Sequence, residues 1–234
     1  MPKRISHAQT GQDILVHYLL QKNRKIPKGR YRGTYVDVGA CYPVISSNTY
    51  YFYERGWRGL CVDANPDTRD AFRKQRPEDA FVAEAVGRER GSLPFFLYDN
   101  PQWNSLDPSR KIAKADRFVG EIAVPVRPLA EMIDEALPGR HIDFLTIDTE
   151  GHELAVLESL DPTRHRPSLI LLESVRRLDT APADPAIAFL TRHGYALIAH
   201  TGHDAILIDA RQPSPAMAAA VAKPAVEAAA ALEA

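Results

Sequence analysis

Acidic residues recur at one kind of place in this 234-residue chain, at the tips of short apolar runs. Asp37 sits in TYVDVGA just before Gly39, Asp63 closes GLCVD, Asp148 closes IDFLTID, and Glu173 closes SLILLE. An apolar run of this length reads as a strand buried on both faces, so each acid stands at the carboxyl edge of a parallel sheet. A glycine turn after one strand and an acid at the tip of the next, about 20 residues on, is how such a sheet grips the ribose of an adenosine cofactor. Gly39 and Asp63 have that spacing. The stretch from Asp148 to Glu153 adds a second chemistry, with Glu150, His152 and Glu153 crowded behind Asp148. His152 has a side chain whose ordinary pKa of about 6.5 suits a general base. Asp148 and Glu173 together offer the oxygen ligands that Mg²⁺ prefers.

The glycine turn discriminates among cofactors. A dinucleotide needs G-x-G-x-x-G around its pyrophosphate, and here Gly39 is followed by Ala40, Cys41, Tyr42 and Pro43. No G-x-x-x-x-G-K-[ST] occurs either, which excludes a P-loop. S-adenosylmethionine carries no phosphate. It presents a ribose diol, an adenine and a cationic sulfonium end, which one close-approach glycine, Asp63 and the acid Asp37 suit. Ala40, Asn48, Ala64, Glu84, Ala85 and Asp148 join them as cofactor-binding candidates. Asp37 and Asp63 taken singly can equally be helix caps, and a nicotinamide-dependent oxidoreductase or a non-catalytic adenosyl-binding module stay open as alternatives.

These residues need a frame to hold them. Periodicity predicts a first helix over Gln12–Lys22, able to cover the sheet or the cleft, then strands and helices in alternation. A crossover helix runs from Ser46 or Ser47 to Gly56, and a second is capped by Asp67 and stops before Pro77. Strands are predicted at Ala80–Val86, Leu93–Tyr98 and Ile122–Leu129, a helix at Leu129–Leu137, and further strands at Ile142–Ile147 and Ser168–Leu172. The helix after Asp148 is expected to start at once, which would set Glu150 beside Glu153 and point Asp148 and His152 together. A last helix spans Asp184 to Gly194, before a hairpin of Tyr195–His200 and Ala205–Asp209. The expected fold is therefore α/β, a Rossmann-like doubly wound sheet of about seven strands, mostly parallel, ending in an antiparallel hairpin. Between Asp99 and Gly120 the pattern breaks into a polar segment, and such segments are often binding loops. Trp103, Asn104 and Ser105, with Glu150 opposite, are the candidate acceptor-binding wall. His7, Gln12 and Asp13 would reach the cofactor if the first helix acts as a lid, and cap that helix if it does not.

Several stretches together resemble the FkbM family of S-adenosylmethionine-dependent methyltransferases. They are GQD (Gly11 to Asp13), YVDVGA, SNTY (Ser47 to Tyr50), GW-x-GLCVDANP (Gly56 to Pro66) and IDFLTIDTEGHE (Ile142 to Glu153). The resemblance covers roughly residues 6 to 209, and IDTEGHE is its most specific part. It implies a class I methyltransferase fold and methyl transfer to a hydroxyl of a carbohydrate or of a glycosylated or polyketide secondary metabolite. Many relatives carry glutamate where this chain has Asp63.

Composition adds bounds. The apolar share of 45% and charged share of 25% are those of an ordinary globular domain, and a net charge of −1 gives no reason to expect nucleic acid as a partner. No apolar run of about 18 residues is present, and two cysteines cannot form a metal cage, so Cys41 and Cys61 read as reduced packing residues in a cytoplasmic protein. The expected organisation is an N-terminal helix and basic loop covering the cleft (1–33), the methyltransferase domain (34–211) and an Ala/Pro-rich disordered tail (212–234). The partner is a small-molecule acceptor.

Overall fold

A computed structural model of the chain describes residues 4–23, 31–113, 115–174 and 179–211. The basic run between residues 24 and 30 and the tail beyond 211 lie outside the described residues. The main sheet is built on β1 (Thr34–Val38), with β2 (Arg58–Val62) and β3 (Ala80–Val82) on one side. A second, three-stranded sheet holds β4 (Ala85–Val86), β5 (Gly91–Tyr98) and β6 (Phe118–Arg127) in the order β4-β6-β5. The chain then returns to the main sheet through β7 (Phe144–Ile147), β8 (Leu169–Glu173), β9 (Tyr195–His200) and β10 (Asp204–Asp209). The seven strands run β3-β2-β1-β7-β8-β10-β9, parallel except where β10 runs against β8 and β9. This is the Rossmann-like doubly wound sheet, mostly parallel with a terminal antiparallel hairpin, that the alternating pattern predicts.

Side chains alternate across β1, and each face finds its own helices. Val36 and Val38 join Leu145, Ile147, Leu172 and the buried stripes of α5 (Leu129–Ala136), α6 (Glu153–Glu158) and α7 (Pro185–Arg192). Tyr35 faces the other way, onto α1 (Gln12–Asn23), α2 (Tyr50–Tyr53) and α3 (Arg69–Gln75), through Val16, Leu20, Phe52 and Phe72. The helix α1 is thus part of a sheet-covering layer.

Three local differences from the sequence reading matter for the site. The strand expected over Ala80–Val86 is two strands in two sheets, broken at Glu84, the one charge in that run, which pairs with Arg127 at 2.8 Å. The segment after Asp99 is partly regular. It holds a 3-10 turn (Pro101–Trp103) and α4 (Pro108–Ala113), and β6 begins at Phe118 rather than Ile122. The first crossover helix is only four residues long, because the Ser47 hydroxyl accepts from the amides of Thr49 and Tyr50 and holds residues 47–49 in a turn.

Candidate active site

A cleft of about 890 Å³, counting its open mouth, lies at the carboxyl ends of β1, β2 and β7. All nine cofactor-binding candidates line it: Asp37, Gly39, Ala40, Asn48, Asp63, Ala64, Glu84, Ala85 and Asp148. The floor is a turn tied to its neighbours on both sides. The amides of Gly39 and Ala40 both donate to the Val62 carbonyl, at 2.9 and 3.1 Å. Gly39 has φ of +82°, and a Cβ there would stand 1.7 Å from the Asp148 carbonyl oxygen. The glycine is therefore required by the tip of β7, a constraint the sequence reading assigned to the cofactor.

Asp63 is buried, and both of its oxygens already hold backbone. The Cys41 amide donates to Oδ2 at 2.7 Å and the Asn65 amide to Oδ1 at 2.8 Å. Burial pushes its carboxyl up to about 6 against those two bonds. The cap reading and the cofactor reading of Asp63 are compatible, since each carboxylate oxygen has a further lone pair. Cys41, at φ +45°, also lines the cleft, but burial and the acids around it push its thiol up to about 12, so it stays protonated.

Asp37 belongs to a buried network below the cleft. It accepts from the Thr49 hydroxyl, and Thr49 Oγ1 accepts from Arg76 at 2.9 Å. Arg76, 1% exposed, also donates to Asp79 at 2.8 Å and to the Tyr35 hydroxyl at 2.9 Å, and Tyr35 in turn donates to Asp79. Burial raises the Asp37 carboxyl and Arg76 opposes that shift.

The second acidic group is arranged differently. Val38, Ile147 and Leu172 are in register, so Asp148 and Glu173 follow at adjacent strand tips, with Asp204 of β10 opposite Glu173. Asp148 lines the cleft and Glu173 stands behind it, the two carboxyl groups sharing a hydrogen bond. Burial raises both, with neighbouring carboxylates adding to it, and Glu173 is pushed up to about 7. Such a pair holds one proton near neutral pH. Asp148, Glu150 and Glu173 bring carboxylate oxygens within 4.8 Å of one another, a donor set of the kind a hard divalent cation takes. Glu150 is at the same time ion-paired with Arg110 of α4.

The expected helical spacing from Asp148 to His152 is not present. Glu150 has φ of +55° and Gly151 of +108°, and α6 begins only at Glu153, with His152 as its N-cap. Glu153 Oε1 imposes this by accepting from the amides of Thr149 and Gly151, each at 3.0 Å. Asp148 and His152 nonetheless both reach the cleft, through a turn. Burial lowers the His152 imidazole below its ordinary value, so it is neutral at pH 7, and its Nε2 is buried with no hydrogen-bond partner.

Of the acceptor-wall candidates, Asn104 and Glu150 line the cleft. Trp103 and Ser105 do not. The Arg117 guanidinium lies over the Trp103 ring at 5.7 Å, and the Ser105 hydroxyl, 1% exposed, donates to the Glu150 carbonyl at 2.7 Å as a strut. The residues named for a lid are also outside the lining. Asp13 accepts from the Ser6 hydroxyl at 2.6 Å and the His7 amide at 2.8 Å, Gln12 accepts from the Thr10 amide, and His7 meets Glu54 at 3.0 Å. The N-terminal residue that does line the cleft is Gln9, which sequence reasoning missed, along with Phe95, Gln102 and Leu106 of the second sheet and its loop. For Gln102 and Leu106 the signal was the irregular segment itself, which marks a place and no particular side chain; Gln9 and Phe95 carried none. Among the described residues no helix is long and apolar enough to cross a membrane.

The methyltransferase FkbM domain model matches residues 37–197. No curated protein matches the chain. Among solved structures, a methyltransferase FkbM from Methylobacillus flagellatus KT is similar at 15% identity and TM-score 0.46, over 77% of this chain. The chain spans only 45% of that protein's length. A precorrin-6y C5,15-methyltransferase from Geobacter metallireducens GS-15 is similar at 16% identity and TM-score 0.43, over 89% of this chain and 93% of the other. The O-methyltransferase TomG from Streptomyces achromogenes, solved in complex with SAM, is similar at 10% identity and TM-score 0.43, over 87% and 82%.

Proposed function

The chain belongs to the FkbM methyltransferase family, and from that premise we propose that it transfers the methyl group of S-adenosylmethionine to a hydroxyl of a carbohydrate or of a glycosylated or polyketide metabolite. The observation that carries the reading is the cleft itself. One short turn at Gly39 and the acids Asp63 and Asp148 stand at consecutive strand ends around a single space, with Glu173 paired behind Asp148. The cofactor supplies an electrophilic methyl on sulfur, and what remains for the protein is to place two reactants in line and to handle one proton.

In this assignment Asp63 takes the ribose diol with its free lone pairs, Glu84 and Ala85 border the adenine, and Gly39, Ala40 and Asn48 form the floor. Asp37 supports that floor from below. Asp148 faces the acceptor hydroxyl and takes its proton. Glu173 holds the Asp148 carboxyl in place and sets when it is ionised, because one negative charge is shared between the two groups. His152, neutral and with Nε2 unpartnered, is the second candidate base. Asn104 and Glu150 orient the acceptor. Trp103 and Ser105 act behind that wall.

A divalent cation such as Mg²⁺ is the second reading of the acids, favoured by the mutual approach of Asp148, Glu150 and Glu173. There it would lower the hydroxyl pKa directly, and Arg110 would have to yield Glu150. Activity surviving EDTA undiminished rules this out. We place the catalytic unit within residues 34–211, acting in the cytoplasm, a setting that the two free cysteines support. Calorimetric titration with S-adenosylhomocysteine tests the whole assignment. Micromolar binding that weakens in Asp63→Ala supports it, and absence of heat with the intact protein overturns it.

A further inference from the structure

The lining of the cleft is charged with one sign only. The acids Asp37, Asp63, Glu84, Asp148 and Glu150 line it, and among the described residues no lysine or arginine does. A cationic guest is well served by such a lining. A guest that also carries a carboxylate must find neutral hydrogen-bond donors for it, because an anion taken out of water needs its lone pairs answered.

One such donor is brought in from outside the sheet. Gln9 lines the cleft, and the residues on either side of it are tied down. Asp13, fully buried, accepts from the Ser6 hydroxyl at 2.6 Å, the His7 amide at 2.8 Å and the Ala8 amide at 3.3 Å. Gln12 Oε1 accepts from the Thr10 amide at 2.8 Å and the Thr10 hydroxyl at 2.6 Å. Gln12 and Asp13 open α1, so the helix clasps residues 6–10 against its own start. Gln9 itself is exposed at the cleft, and its carboxamide makes no hydrogen bond with the described residues.

The clasped segment meets the cleft on a definite side. The His7 ring packs edge-on against Tyr50 with centroids 4.8 Å apart, and Asn48, two residues earlier, donates to Thr146 Oγ1 of β7 at 3.1 Å. Asp63 and Glu84 stand on the other flank of β1, toward β2 and β3.

We infer that Gln9 binds the amino-acid end of S-adenosylmethionine, its Nε2 donating to the α-carboxylate. The inference rests on the methyltransferase reading, in which Asp63 takes the ribose and Glu84 and Ala85 border the adenine, leaving the methionyl end to the β7 side. There the sulfonium and ammonium groups meet acids, and the carboxylate is the one charge of the cofactor that no opposite charge in the lining answers. A carboxamide suits the place better than a cation would. A lysine or arginine at residue 9 could pair with Asp148 or Glu150 and withdraw them from the guest, whereas Gln9 donates without competing for them.

The test is calorimetric titration of the full chain, Gln9→Ala and Gln9→Glu with two ligands. One is S-adenosylhomocysteine, and the other is methylthioadenosine, which keeps the nucleoside and the sulfur and lacks the amino-acid end. Gln9→Ala should bind S-adenosylhomocysteine about 10-fold more weakly, the loss of one hydrogen bond to a charged group, and methylthioadenosine as tightly as the parent. Gln9→Glu should lose at least as much, because it sets one carboxylate against another. Both variants should melt within about 2 °C of the parent, since the side chain has no protein partner to lose. Unchanged affinity for S-adenosylhomocysteine in Gln9→Ala, or an equal loss for both ligands, overturns the proposal. So does Gln9→Glu binding as the parent does, which would put the ammonium group at this position. A parent that binds neither ligand removes the methyltransferase reading, and the proposal falls with it.

Discussion

Two clusters of carboxylates flank the central strands, one running from Asp37 back to Asp79 at the amino end of β3, the other at the carboxyl tips of β7 and β8, and they are built to opposite rules. In the first, Asp37 and Asp79 surround Arg76, and each charge is answered by a hydroxyl, an amide or the guanidinium. In the second, Asp148, Glu150 and Glu173 crowd together with Arg110 engaged on only one of them. A satisfied buried network specifies and stabilises, whereas like charges left facing each other cost stability and mark a place where chemistry happens. The same residue type is thus held in two electrostatic settings, one with its charges answered and one without.

Substitutions that move a member of one cluster should affect only that cluster's property. The largest effect is expected from Arg76→Met, which leaves Asp37 and Asp79 buried without a counter-charge. Breaking such a pair costs about 3–5 kcal/mol, read as a lower urea midpoint. A midpoint within 0.5 M of the parent would mean that the first cluster is not the structural one. Next is Asp148→Asn, expected to lower the methyl-transfer rate by about 10²–10⁴-fold while leaving the melting temperature unchanged or higher, because a repulsion is relieved. Loss of both rate and stability would erase the distinction. Asp63→Ala stands between the clusters and should weaken S-adenosylhomocysteine by about 10–100-fold, the range for a charged hydrogen bond.

The smallest effect is in the pH dependence. Glu173 is raised to about 7 when folded, so the native state binds more protons than the unfolded chain between its ordinary value and there. Stability should decline as pH rises from about 4.5 to 7, while turnover climbs as the carboxyl pair ionises. Glu173→Gln should make both trends shallower, and a stability curve that falls as steeply as the parent's over that window in Glu173→Gln would assign the proton elsewhere. Asp63, raised to about 6, contributes a fall of the same sign ending one unit lower.

The main sheet was legible because its central strands β1, β2, β7 and β8 are apolar runs that end at or beside an acid. The nine residues named for the cofactor all line the one cleft, since strand ends converge wherever the sheet is parallel. Register explains what was missed. Ala80–Val86 looks like one strand by composition, and only the pairing of Ala85 with Val126 shows that it changes sheets. Likewise IDTEGHE reads as a helix start, but the carboxylate of Glu153 captures the amides behind it and delays the helix to its own position. Trp103 and Ser105 were named by residue type in an irregular segment, where type alone cannot tell a wall from a strut. Arg110 and Tyr98 lay outside any motif, their positions fixed by tertiary contacts.

The pairing of Gly91 with Val126 sets the two ends of the β5–β6 excursion side by side. Asn104, Tyr98 and Arg110 all lie within this one stretch, while the opposite lining of the cleft comes from strand ends far apart in the chain. A segment that leaves and re-enters at one point can be exchanged by recombination without disturbing the rest. If the acceptor is held there, as proposed, exchanging residues 91–126 would change acceptor preference and leave the methyl-donor side in place.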